Sequence, residues 1–363
     1  MEITHKFKQE LKKMKLTAKI LIPLCLLITF SIILSTIISY KSVQKIVLQL
    51  SKEQLEEKAN SIKTRLNDRI DEILTETQKL SQFKDIQKAS KYKGLRTKAS
   101  KFLVDYASQK EYFEQITLTD ITGAVIASNL EKNVKALNKS NASYFQRALN
   151  GEINISKPIK SYFSDHPVFI IAVPVTMNKT ITGTLLAWID IKILGDKFIK
   201  TLKIGETGYA YLTDSKGLVL YHKNPKHVQS LNITKHDFGV EMIKQKNGFI
   251  QYTWEGKDKI ASYVSLKKVE WILSAGINMN ELLVPAKKMR NLVGLIGIIT
   301  ITIIAFGALF IIQTLVVKPV NVVSNNLKEI AKGEGDLTKR LKIVSKDEIG
   351  QLSNWFNSFG NLF

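Results

Sequence analysis

Residues 20–40 read ILIPLCLLITFSIILSTIISY, twenty-one consecutive positions without a charged side chain. As a helix rising about 1.5 Å per residue, such a run crosses a hydrocarbon layer of about 30 Å. A second uncharged run, of 27 residues, extends from Asn291 to Val317. Core helices of that length rarely lack every charge, so the pair predicts two transmembrane helices, 20–40 and 291–317, and excludes a soluble cytosolic enzyme. The preceding segment, 1–19, carries Lys6, Lys8, Lys12, Lys13, Lys15 and Lys19 and resembles the start of a signal peptide. The apolar stretch exceeds the roughly 7–15 residues of a cleaved signal and no A-x-A site follows, so it reads as an uncleaved anchor. Lysines on its near side place the N-terminus in the cytoplasm, and the second crossing returns the C-terminus there. Residues 41–290 then face outward, and the expected location is the cell membrane, with two spans and both termini cytoplasmic.

The chain has 53 Lys and Arg against 32 Asp and Glu, a net charge of +21, and is 45% hydrophobic, enough for packed cores. Residues 1–19 hold +4 and 318–363 hold +2, leaving +15 on 41–290. Those lysines are scattered with few interleaved aromatics, which argues against nucleic acid and for solvation and attraction to an anionic envelope surface. Cys25 is the lone cysteine and lies in the first apolar run, so no disulfide framework or redox pair exists. No HExxH, GxSxG, Walker or zinc spacing occurs, and His5, His166, His222, His227 and His236 are isolated. No catalytic residue, metal or cofactor is expected, and His222 and His227 read as surface residues. A transporter is a poor reading, because uncharged spans offer no substrate path.

From Lys41 to about Leu80 there is neither Gly nor Pro, and Val43, Ile46, Leu50, Ala59, Ile62, Leu66, Ile70 and Ile73 recur at spacings near three and four. This predicts one long amphipathic helix over 41–80. Beyond it, short apolar runs alternate with turn signals, and one unit repeats. Leu118-Thr119-Asp120-Ile121-Thr122-Gly123-Ala124-Val125 matches Leu212-Thr213-Asp214-Ser215-Lys216-Gly217-Leu218-Val219 at an offset of 94. In D-x-x-G the Asp can bond its own backbone and the Gly can take positive φ, so each copy reads as a hairpin. Asn150-Gly151 and Asn247-Gly248, offset by 97, give a second landmark, and together they predict a duplicated α+β module.

The stretches Tyr144 to Gly151, Ser156-Lys157-Pro158, Ala172-Val173-Pro174-Val175, Gly183 and Ile189-Asp190-Ile191 resemble the membrane-distal half of a double Cache (dCache) sensor domain. Ile204 to Leu212, with His222 after the hairpin, resembles the membrane-proximal half. The resemblance implies a long helix, 41–80, carrying two PAS-like antiparallel modules, 81–200 and 201–285, with small ligands bound in the distal one. Tyr144, Phe145, Ser161 and Asp190 fall on positions that contact ligand in amino-acid-binding members, the aspartate taking the ligand ammonium. Asp190 also ends a run that reads as a buried strand, so its carboxylate needs a partner or a ligand cation. Three positions depart from the pattern: Ala142 stands for a carboxylate-clamping Arg, Ile159 for a Tyr and Ser161 for an Asp. Without the guanidinium an ordinary amino-acid ligand is disfavoured, leaving amines, other metabolites or a helper binding protein.

After the second apolar run, Val320, Val323, Leu327 and Ile330 follow Lys318-Pro319 at helical spacing, and Ile349, Leu352, Phe356, Phe359 and Phe363 form a second stripe. Two such short helices need a bundle, most simply from a homodimer. Residues 318–363 closely resemble a HAMP domain, with Pro319 opening the first helix, Gly335, Asp336 and Leu337 in the connector, and Asp347, Glu348, Ile349 and Gly350 opening the second. These are the expected signal-relay residues, and the wording at the end is most like that of methyl-accepting chemotaxis receptors. The fold class implied is an α+β membrane protein, two transmembrane helices flanking a dCache domain and then a HAMP helical bundle. The implied function is transmembrane chemosensing, acting on a chemotaxis kinase and adaptor only through a missing C-terminal domain. The alternative is the input half of a sensor histidine kinase or cyclic-dinucleotide enzyme. Ending within the second HAMP helix, the chain is expected to be a truncated product, an engineered fragment or a receptor remnant.

Overall fold

The computed structural model describes residues 14–130, 138–331, 341 and 348–359. The chain forms two units, Ile46–Val284 and the combination of Met1–Lys45 with Pro285–Phe363.

Helix α1 spans Leu16–Ser81 without a break, as the absence of Gly and of any interior Pro beyond Pro23 allows. In Ile46–Val284 its stripe Leu55, Ala59, Ile62, Leu66, Ile70 and Ile73 is fully or almost fully buried. Each such Ile or Leu contributes roughly 1.5–3 kcal/mol relative to exposure. Ile46 and Leu50, read from sequence as part of the same stripe, are instead 58% and 52% exposed, because packing begins only at Leu55. Helices α2 (Lys84–Lys91) and α3 (Arg96–Ser108) lead into the first sheet.

That sheet contains β1 (Phe113–Asp120), β2 (Val125–Ser128), β3 (Asn154–Ile155), β4 (Ile159–Lys160), β5 (Pro167–Met177) and β6 (Thr180–Asp190). Helix α4 (Ser143–Leu149) lies between β2 and β3 in the chain, and α5 (Ile191–Phe198) follows β6. The second sheet holds β7 (Tyr209–Thr213), β8 (Val219–Tyr221), β9 (Gly248–Trp254), β10 (Lys257–Leu266) and β11 (Trp271–Asn278), with α6 (Asp237–Gln245) before β9. Strand order is β2-β1-β6-β5-β3 in the first, with β4 also on β5, and β8-β7-β11-β10-β9 in the second. The two orders are the same path drawn twice, and every pairing is antiparallel.

Period-two alternation sends Phe169, Ile171, Leu185, Ala187 and Ile189 of the first sheet, and Leu212, Trp271 and Leu273 of the second, into one core with the stripe of α1. Phe169 meets Trp271 edge-on at 5.3 Å. The opposite faces are covered by short helices, Ala148 of α4 packing with Ile170, Leu186 and Trp188, and Met242 of α6 with Ile250, Tyr263 and Ile272.

The two D-x-x-G turns share their bonding. Asp120 Oδ1 accepts from Thr122 N at 2.9 Å and Ala124 N at 3.1 Å, and Asp214 Oδ1 from Lys216 N at 2.9 Å and Leu218 N at 2.8 Å. Gly123 and Gly217 have φ of 81° and 85°, where a side chain is strained. The second landmark is less alike, since Gly151 has φ of 86° but in the other copy Lys246, not Gly248, is left-handed.

After the short α7 (Met279–Leu282), α8 (Val284–Ile311) passes through a π-helical stretch, Ile312–Val317, into α9 (Lys318–Ala331), and α10 covers Glu348–Phe359. Pro319 was expected to open a new helix; instead the helix continues, with Lys318 helical at φ −60° and ψ −52°. Proline cannot donate to the turn before it, and the wider π winding sits where that bond is missing. Two helical stretches, Thr17–Ser81 and Val284–Glu329, are long and apolar enough to cross a membrane. Their apolar side chains are largely exposed, Leu27 at 67% and Phe310 at 71%, as lipid-facing groups would be. Hydroxyls of Thr29, Thr36, Thr300 and Thr302 bond carbonyls four residues back, which satisfies them without water. Of the expected relay residues, Gly335, Asp336, Leu337 and Asp347 lie outside the described residues. Glu348, Ile349 and Gly350 form the first turn of α10.

Candidate functional site

Side chains directly opposite in an antiparallel pair share a face. On the face of the first sheet toward α4, Gln115 of β1 stands opposite Trp188 of β6, and Thr117 opposite Leu186. Trp188 in turn pairs with Ile170, and Asp190 with Val168. Gln115 and Thr117 are 1% and 0% exposed, yet Gln115 Nε2 and Thr117 Oγ1 have no hydrogen-bond partner among the described residues. Buried polar groups are nearly always bonded, so two orphans on one face mark a place built for something else.

Lys139 reaches the same place from the loop before α4. Its backbone N–H donates to Gly123 O at 2.9 Å, and the neighbouring Asn138 bridges Ala124, so the hairpin turn fixes its position. The side chain lays Nζ 5.2 Å from the centroid of Trp188 and 5.8 Å from that of Tyr162. Lys139 is only 8% exposed, burial pulls its pKa down, and it has no ion pair among the described residues.

Of the four residues expected from sequence, Tyr144 is half-buried on α4 and packs on the Trp188 cluster. Burial, with Tyr162 nearby, pushes its phenol up to about 12, so it stays a proton donor. Phe145 is 1% exposed and is packed into the core beneath α4. Ser161 bonds both oxygens of Glu114 at 2.7 Å, a carboxylate that Ser164 also bonds. Asp190 is the N-cap of α5, Oδ1 accepting from Lys192 N at 2.7 Å and Ile193 N at 3.4 Å, while Oδ2 meets Nδ1 of His166 at 2.8 Å. Tyr144 and Asp190 thus border one face with Gln115, Thr117, Lys139 and Trp188, whereas Ser161 turns to Glu114.

Tyr144 also lines an open cleft of about 720 Å³ with Ala142, Arg147 and Ile159 on one side and Lys267, Lys268 and Glu270 on the other. Two of its cations are already paired, Arg147 with Glu152 and Lys268 with Asp71.

The second module provides an internal comparison. At the offset of 94, Gln115 and Thr117 correspond to Tyr209 and Tyr211, and Lys139 to Ile233, whose N–H donates to Gly217 O at 2.9 Å as Lys139 N–H does to Gly123 O. Opposite Tyr209 stands Gly276 rather than a Trp. The three replacements join His222, Phe238, Tyr252 and Trp254 around a cavity of only about 20 Å³, room for about one water. His222, read from sequence as a surface residue, stands edge-on to Tyr209 at 4.9 Å and to His227 at 4.8 Å. Burial first, then His227, holds its pKa at about 4. Both faces bury polar groups without partners among the described residues, Thr213 Oγ1 and Ser274 Oγ in the second module and Gln115 Nε2 and Thr117 Oγ1 in the first. The modules differ in their lysines: Lys259 of the second, also 8% exposed, donates to the Tyr209 hydroxyl at 3.2 Å, whereas Lys139 lies over Trp188. Aligning the repeat residue by residue reveals the contrast in the sequence; a search for family positions misses Gln115, Thr117, Lys139 and Trp188.

The Cache domain family model matches residues 41–286 and the HAMP domain model residues 312–361. Methyl-accepting chemotaxis protein TlpA of Bacillus subtilis is 26% identical over 350 residues, covering 92% of this chain and 50% of that protein. McpB of the same organism is 26% identical over 358 residues, covering 96% and 51%. The chain spans about half the length of these curated relatives. Among solved structures, the ligand-binding domain of the Pseudomonas aeruginosa amino acid chemoreceptor PctB in complex with L-Arg superposes with a TM-score of 0.51 at 14% identity, covering 64% of this chain and 97% of that one. That likeness shows the fold.

Proposed function

The chain belongs to the Cache domain family, and from that premise we propose that it is the sensing half of a transmembrane chemoreceptor. The observation that carries this reading is the distal sheet face, where Lys139, Gln115 Nε2 and Thr117 Oγ1 are buried without ion-pair or hydrogen-bond partners among the described residues, at positions the second module fills with Ile233, Tyr209 and Tyr211. A small extracellular ligand supplies those partners. Binding alters the packing of α4 on β5 and β6, and the change passes down α1 and through the second span to the HAMP segment. Both termini lie in the cytoplasm, residues 41–290 outside, and the HAMP helices pair with those of a second copy. Leu327, Leu352 and Trp355 are 47%, 42% and 75% exposed in the single chain, which supports a partner there. The domain limits follow the sequence: anchor 20–40, sensor 41–290, second span 291–317 and HAMP 318–363. Signalling to a kinase and adaptor requires a C-terminal output region, and the sensor itself performs no reaction.

The test joins residues 1–363 in frame to the signalling region of a characterised chemoreceptor in cells lacking their own receptors. A spent culture filtrate, fractionated by size, should elicit a change in tumbling from the small-molecule fraction, and a Trp188→Ala chain should not respond. A stably expressed hybrid that ignores every fraction contradicts the proposal.

A further inference from the structure

We propose that the distal face takes a small carboxylate, held by Lys139 with Gln115 and Thr117, and not an amine or a zwitterionic amino acid. The inference rests on reading the distal module as the sensing module. It follows from which charges on the face are already satisfied. Asp190, the group that would take an ammonium, has Oδ1 engaged by two backbone N–H groups and Oδ2 by His166. Glu114 receives hydroxyls from both Ser161 and Ser164. The aromatic surface that could hold a ligand cation, Trp188, already carries the Lys139 ammonium.

The positive side of the ledger is open. Lys139 is 8% exposed with no counter-ion among the described residues, and an ammonium so placed is unfavourable without an acceptor; Lys259, equally buried in the second module, donates to the Tyr209 hydroxyl, and an anion would serve Lys139 in that role. The same face carries further donors: Gln115 Nε2, opposite Trp188, Thr117 Oγ1 and, at its edge, the Tyr144 hydroxyl. A lysine is a point charge with three rotatable donors, suited to one carboxylate without the planar clamp of an arginine. The lack of Arg at position 142 therefore moves the cation to 139 rather than removing it. Ile233, Tyr209 and Tyr211 at the equivalent positions of the second module show that the framework closes without any of these polar groups.

The full 363-residue chain in nanodiscs would be followed by thermal unfolding with acetate, propionate, lactate and succinate, each against its neutral amide, and with L-alanine and ethylamine, at matched ionic strength. At least one carboxylate should raise the unfolding temperature saturably while its amide, the amino acid and the amine do not. Lys139→Gln should weaken that carboxylate about 10- to 100-fold and Gln115→Leu about 2- to 10-fold, the usual effects of a charged and a neutral hydrogen bond. Lys139→Arg, which keeps the charge, should retain most of the affinity, and each variant's unliganded transition reports its folding. A carboxylate that stabilises Lys139→Gln as well as wild type overturns the proposal, as does a panel in which all four carboxylates are inert. Stabilisation by L-alanine or ethylamine that is lost in Trp188→Ala also overturns it, and leaves the sensing role of the distal module standing.

Discussion

Asp190→Ala separates a structural from a ligand-contacting aspartate. The side chain caps α5 through Lys192 N and Ile193 N and holds His166, and it is 5% exposed. Loss of an N-cap costs about 1 kcal/mol. The His166 bond adds about 1 kcal/mol, discounted from the roughly 1.5–3 kcal/mol of a charged hydrogen bond because that ring is 40% exposed and can turn to water. The sum, about 2 kcal/mol, lowers the unfolding midpoint of a unit this size by roughly 4–8 °C. Asp190→Asn keeps a capping oxygen and should recover about half of the loss. Amide hydrogen exchange gives the local assay: Lys192 and Ile193 should exchange faster in the Ala variant and near the wild-type rate in the Asn variant. Unchanged exchange at both amides with an unchanged midpoint would refute the reasoning.

Gly183→Ala should be more damaging than an ordinary surface change, since its Cβ would sit 2.0 Å from Thr119 O, a backbone atom of the β1–β6 ladder. The expected loss is roughly 1–3 kcal/mol, read as a lowered unfolding midpoint. Glu76, although burial acts to raise its pKa, is held below the usual carboxylate value by bonds from Tyr112, Tyr106 and Lys110. Its folded pKa lies below its unfolded one, so its contribution is complete above the usual value near 4.5 and is lost as pH falls through the folded pKa. Glu76→Gln should flatten the acid limb of a stability–pH curve there and leave the neutral limb unchanged in slope. Cysteine at Leu327, in a Cys25→Ser background, should form a crosslinked dimer in membranes, whereas cysteine at Asn325, on the opposite face of the same helix, should not.

Much of the architecture was legible because it rests on coarse physical signals. Missing charges at 20–40 and 291–317 reveal the apolar helices, and Asp120-x-x-Gly123 against Asp214-x-x-Gly217 reveals the duplication, since both turns depend on a local carboxylate bond and a positive φ. Pro319 misled because a π-wound turn absorbs its missing bond, which no local composition signals. Ile46 and Leu50 carry helical periodicity, but whether a stripe is covered depends on where the sheets begin. The site was the least legible part. Family positions lead to Tyr144 and Asp190, yet Asp190 spends its oxygens on a helix cap and a histidine 24 residues away. Lys139 and Gln115 lie 24 residues apart, and only the sheet register and the pinned loop bring both against Trp188.

The most direct test of the distal face as the sensing site is hydrogen exchange on the full chain in nanodiscs, with and without the compound that most raises its unfolding temperature. Protection should appear in β1 at Gln115 to Thr119 and in α4 at Tyr144 to Ala148, with β7 and α6 unchanged. Protection confined to β7 and α6, around Tyr209 and Tyr211, would contradict the account.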